Sequence, residues 1–209
     1  MAKPKSLRVI LIRSGSTEWD VRGRVSGSAD HPMCEQGAAD LASAIRELEL
    51  TDVAAVLHGP DEASTSTGNR VASLSRAKAR SKDGLGEVSM GLWEGLLPGD
   101  LEDRYPTVYG KWLEDPAAVS VPEGEPLVEA DARLRAAFLK SVEKVANDGT
   151  VVVVLRPIAW ALMRCRLLGR PLSALWSGLR EAGQVESLSC QTASLRDSAV
   201  EAEGAAAQA

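Results

Sequence analysis

Two apolar runs stand out from an otherwise mixed chain. Leu7-Arg8-Val9-Ile10-Leu11-Ile12 and Thr150-Val151-Val152-Val153-Val154-Leu155 place apolar residues at successive positions rather than alternate ones. Short runs of this kind predict strands buried on both faces, and β-branched valine favours the extended form further. Val53 to Leu57 reads as a third, shorter strand. The segments between them change to a helical spacing. Leu41, Ile45 and Leu48 share one face within Glu35–Leu50, and Val71 and Leu74 are helically spaced within Asp61–Arg80. Leu127, Leu134, Phe138, Val142 and Val145 form the clearest stripe, over Leu127–Val145. Pro157 suits the first turn of a helix running to Leu168, and Gly169 suits its stop. Val185 to Leu195 reads as one or two final strands. Strands alternating with helices predict an α/β fold, a three-layer α/β/α sandwich around a mostly parallel central sheet.

The weakly patterned stretches are informative in a different way. The connection from Arg13 to Met33 is long and carries Arg13, Thr17, Trp19, Arg22, Arg24 and Asp30. Long ordered loops are commonly functional, and this one leaves the carboxyl end of a strand, where open α/β sheets bind their ligands. Asp61 and Glu62 lie at the expected start of the second helix, where negative charge suits the dipole. Cys34 stands where Ser or Thr would cap the first helix better. Residues 81–127 are expected to be irregular, with short helices. One domain over residues 1–200 is expected, followed by a small, polar, Ala-rich tail, 201–209, expected to be disordered.

Composition narrows the function classes. With 209 residues, 44% apolar and 25% charged, the chain has the make-up of one globular domain. A net charge of −5, with no basic cluster, argues against nucleic acid as a partner. The longest apolar run, Val151 to Leu155, is too short to span a membrane. The apolar stretch behind the basic first residues ends at Arg13, too soon for a secretory signal. Cys34, Cys165 and Cys190 are widely spaced, with neither metal-ligand spacing nor a disulfide framework. The expectation is therefore a cytoplasmic protein with no metal and no cofactor. Only two histidines occur, His31 and His58, which limits every mechanism based on imidazole.

Several motifs follow one another in a specific order: Arg13-Ser14-Gly15-Ser16-Thr17, then Gly23-Arg24-Val25-x-Gly27-x-x-Asp30-x-Pro32, Glu35-x-Gly37 and His58-Gly59-Pro60. Leu85-x-Glu87-x-x-x-Gly91-x-Trp93-Glu94-Gly95 and Arg104-Tyr105-Pro106 continue the series. From Leu7 to Leu195 the chain resembles the histidine phosphatase superfamily, the phosphoglycerate mutase-like proteins. The resemblance implies their fold. It also implies a site in which one histidine attacks phosphorus, two arginines and a second histidine hold the phosphoryl oxygens, and an acid protonates the leaving group. Carried over position by position, Arg13 and the acid Glu87 are retained. The nucleophile's place holds Ser14, and the second arginine falls near Ala63. The second histidine falls on Leu155, or on Arg156 with a shift of one residue.

Removing the nucleophile from a cooperating catalytic unit can cost on the order of a million-fold in rate, and a neutral hydroxyl is weak without a base. His58, at the end of the second strand, reads as a rim residue, with a role as that base as the lesser alternative. Arg13 could hold phosphate or carboxylate, or pair with Glu87 or Asp20. Arg156, at a helix N-terminus, could complete a two-arginine anion pocket, or pair with Glu87. Trp19, Trp112, Trp160 and Trp176 read as packing residues. The resemblance thus implies a pseudo-phosphatase with Ser14 and Glu87 as vestigial catalytic positions and Arg13 and Arg156 as substrate-binding ones. Its partner would be phosphate, another anionic small molecule, or a protein it binds or scaffolds. The alternative is a phosphomonoester phosphatase or mutase that uses Ser14 or water.

Overall fold

The computed structural model describes residues 5–46 and 48–195; the 201–209 tail lies outside them. The apolar runs form the middle of a five-stranded sheet. In chain order the strands are β1 (Ser6–Arg13), β2 (Val53–His58), β3 (Ala79–Ser81), β4 (Gly149–Leu155) and β5 (Val185–Gln191). Their order across the sheet is β3-β2-β4-β1-β5. All pairings are parallel except that of β5 with β1. The helices are α1 (Glu18–Val21), α2 (Glu35–Ala44), α3 (Glu62–Ser75), α4 (Pro98–Arg104), α5 (Pro106–Glu114), α6 (Leu127–Val142), α7 (Pro157–Leu167) and α8 (Leu175–Glu181).

Strand pleating sends alternate residues to opposite faces. Leu7, Val9, Leu11, Val151, Val153 and Leu155 belong to one core with Leu134 and Phe138 of α6 and Trp160 of α7. Ile10, Ile12, Val152 and Val154 belong to the other, with Leu41 of α2 and Val71 of α3. This is the three-layer sandwich expected from the pattern. No helix among the described residues is long and apolar enough to cross a membrane.

Some elements differ from the pattern. Helix α2 ends at Ala44 rather than near Leu50, yet Leu48 and Leu50 still pack against the second core. Helix α3 ends at Ser75, with Arg76 in the left-handed region at φ 54. There the Ser75 hydroxyl donates to the Ala72 carbonyl (3.3 Å), the acceptor that the Arg76 amide would use if the helix continued. The chain after it becomes β3, three residues long and without apolar alternation, which pairs with the edge of β2.

Candidate functional site

Strands β1 and β4 run side by side in register, so Arg13 is opposite Leu155 and both chains leave the sheet at the same edge. The Ser14 amide donates to the Leu155 carbonyl (2.8 Å). Ser14 is 4% exposed and its hydroxyl has no hydrogen-bond partner among the described residues. The next residue is Gly15, and a Cβ there would push the Met33 side chain aside. The Gly15 amide donates to the Thr67 hydroxyl of α3 (3.0 Å).

Thr17 caps α1 in a reciprocal box with Asp20. Asp20 has a second task. Arg156, buried at the N-cap of α7, donates to its two carboxylate oxygens at 3.0 and 3.2 Å. Burial alone would raise the Asp20 pKa. The Arg156 charge and hydrogen bonds from Thr17 and Ser26 outweigh it and hold the carboxyl below the ordinary carboxylate value. Leu155 is sealed in the first core, so Arg156 is the one of the pair whose side chain borders the crevice.

Glu87 stands beside this pair. Its Oε1 accepts the amides of Val88 (2.8 Å) and Ala159 (2.7 Å), and its Oε2 accepts that of Ile158 (2.9 Å). The carboxyl thus occupies the N-terminus of α7, where Pro157 offers no N–H. Burial pushes its pKa up to about 7 against the pull of these amides and of Arg156. Arg133 of α6 braces the segment that presents it, donating to the carbonyls of Gly84 and Gly86 (each 3.1 Å) and pairing with Glu125 (2.6 Å). Sequence reasoning did not find Arg133, because nothing in its helical context marks a partner in a loop almost fifty residues earlier (separations of 47 and 49).

The N-terminus of α3 is also occupied. Asp61 caps it by accepting the Ser64 amide (2.9 Å), and Asp30 accepts the Glu62 amide (2.9 Å). Ala63 follows, fully buried. Asp30, Asp61, Glu87 and Arg156 border a cavity of about 280 Å³. A second cavity of about 240 Å³ shares Glu87 and Gly27 with it and is lined mainly by apolar and aromatic side chains.

The other candidates have partners of their own. The Arg13 guanidinium stands 5.9 Å from the centroid of the Trp160 ring and makes no ion pair among the described residues, so neither Glu87 nor Asp20 is its partner. Arg156 pairs with Asp20 rather than with Glu87. His58 is not a rim residue: it ends β2, is 3% exposed, and its Nδ1 lies 2.7 Å from the Gly59 carbonyl oxygen. Its ring packs so closely under α3 that a Cβ on Gly68 would be 2.8 Å from it. Among the described residues no group of three or more His, Cys, Asp or Glu side chains could hold a metal ion. Chemically, the crevice presents three carboxylates and one guanidinium that is already paired.

Comparison with known proteins gives a consistent picture. Residues 9–196 match the model of the histidine phosphatase superfamily (branch 1). Phosphoserine phosphatase 1 of Hydrogenobacter thermophilus is 29% identical over 171 residues, covering 82% of this chain and 81% of that protein. A bifunctional protein of Mycobacterium tuberculosis is 27% identical over 167 residues, which are 79% of this chain but only 45% of the longer relative. Among solved structures, a mycobacterial glucosyl-3-phosphoglycerate phosphatase bound to VO3 shares the fold at TM-score 0.72, with 22% identity and coverage of 83% of this chain and 85% of that one.

Proposed function

The chain belongs to the histidine phosphatase superfamily, and we propose that it is a member that keeps the fold without the phosphoryl-transfer reaction, a pseudo-phosphatase with a binding or scaffold role. The observation that carries this reading is the occupation of the crevice by the chain's own carboxylates. A phosphoryl group would need free helix N-termini and uncommitted cations. Here Asp30 and Asp61 take the amides at the start of α3, and Glu87 takes those at the start of α7. Arg156 is held by Asp20. Ser14 has a hydroxyl but no base against it, and His58 is turned to its own backbone.

On this reading Ser14 and Glu87 are vestiges of the catalytic positions, and Arg156 fills the place of the second histidine. Arg13 keeps the strand end in shape against Trp160 rather than holding substrate. The partner is then a protein or a ligand other than a phosphate ester. The fold unit is one domain over residues 1–200, working in the cytoplasm, which suits three free cysteines.

The competing reading is a phosphomonoester phosphatase that uses Ser14 or water, and the 29% identity to a phosphoserine phosphatase favours it. Phosphate release from phosphoserine, 3-phosphoglycerate and phenyl phosphate separates the two. The expected result is no turnover above that of Ser14→Ala. Turnover by the unaltered chain that Ser14→Ala abolishes would sink the pseudo-phosphatase reading.

A further inference from the structure

A groove of about 500 Å³ is bordered by β3, the turn after it and the end of α6. It shares no lining residue with the two cavities described above. Arg80 and Lys82 line one wall, and Lys140 and Lys144 the other. Arg80 is opposite Leu57 of β2, a residue of the first core, so its side chain lies on the sheet face that α6 covers. The sequence shows no basic cluster because the two pairs of cations belong to separate elements that only the fold brings together.

None of the four cations makes an ion pair among the described residues, although the chain carries more acid than base. Asp83 and Glu143 border the same groove and pair with none of them. The helix end does not occupy them either. Cations near a helix C-terminus commonly serve its last carbonyls. Here Lys5 does so, its ammonium donating to the carbonyls of Val142, Glu143 and Val145. The groove thus gathers like charge that no internal ion pair offsets, and a bound anion would relieve it.

The lining selects among anions. No aromatic side chain borders the groove among the described residues, so bases would have nothing to stack on. Asp83 and Glu143 interrupt the positive walls, which disfavours a uniformly charged polyphosphate. β3 is the edge strand of the sheet, and an open edge accepts an extended peptide through main-chain hydrogen bonds. We propose that this groove docks an acidic, extended segment of a partner protein, its backbone along β3 and its carboxylates against Lys140 and Lys144. The proposal does not depend on whether catalysis is lost.

Fluorescence anisotropy of labelled hexaglutamate with the full chain, at about 0.15 M salt, tests it. Saturable binding is expected, with hexaglutamine and tripolyphosphate each weaker by about tenfold or more. Lys140→Glu with Lys144→Glu, at exposed positions, should weaken hexaglutamate about tenfold. Arg80→Gln with Lys82→Gln, on the facing wall, should weaken it about threefold. Arg104→Glu with Lys111→Glu makes the same change of net charge at exposed positions outside the groove, and should alter affinity by less than about twofold. No saturable hexaglutamate binding, or affinity unmoved in both folded groove variants, would overturn the proposal. So would tripolyphosphate or oligothymidylate binding as tightly as hexaglutamate, or a loss in the Arg104 and Lys111 variant as large as in the Lys140 and Lys144 variant.

Discussion

Helices α3 and α7 begin at the same edge of the sheet and present the same electrostatic problem, amides with no partner inside the helix. They meet it in different ways. At α3 the N-cap residue itself, Asp61, accepts the Ser64 amide, and Asp30 adds a bond to the Glu62 amide. At α7 the cap is remote: Glu87 reaches the Ile158 and Ala159 amides across 71 and 72 residues of sequence. The local cap comes with its helix wherever the helix forms. The remote cap exists only while the loop around Glu87 is held, which is the work of Arg133 on α6. One crevice therefore contains a helix start whose N-cap is its own preceding residue and a helix start whose carboxylate comes wholly from a distant loop, and the second joins three separate elements.

The largest test of that contrast is to remove each cap in turn. Glu87→Ala leaves the amides of Val88, Ile158 and Ala159 without their acceptor, and should cost about 3 kcal/mol in urea denaturation. If it costs no more than the loss of Asp61, the remote cap binds nothing together and the contrast fails.

A second test uses pH. The Glu87 carboxyl has its pKa raised from 4.5 to about 7, so between those values the folded chain holds a proton that the unfolded chain has lost. Stability from this group is therefore present below the lower value and falls as pH rises through the higher one. Because the carboxyl borders two cavities, solvent reduces the effect, to about 2 kcal/mol between roughly pH 5 and pH 8. Glu87→Gln should flatten the slope in denaturation midpoints. Asp20, whose pKa is held down, acts in the opposite sense and only below 3.8, so the two windows do not overlap. A slope unchanged by Glu87→Gln would place the titration elsewhere. The smallest effect belongs to the local cap: Asp61→Ala should cost about 1 kcal/mol, measured the same way.

Much of the fold was legible in the chain. β1 and β4 fall where the unbroken apolar runs lie, and α6 follows its stripe from Leu127 to Val142. Pro157 opens α7 as its fixed backbone angle predicts. The short strand β3 was not legible, since Ala79–Ser81 carries no pattern of its own and is a strand because β2 offers an open edge. His58 misled for a related reason: its place at a strand end was readable, but the covering α3 helix that buries it was not.

The candidate site divides along the same line. The residue types at positions 13, 14, 63, 87 and 156 are facts of the sequence, and with them the presence of arginine and acid and the absence of histidine. Apolar periodicity is a local property, so the sequence by itself determined the two-sided sheet and the edge where a crevice must open. Pairing is not local. Arg156 could have faced Glu87, Arg13 or solvent, and only the tertiary structure set it against Asp20, 136 residues away. Charges find partners by distance in space, and the spacing of residues along the chain does not contain that distance.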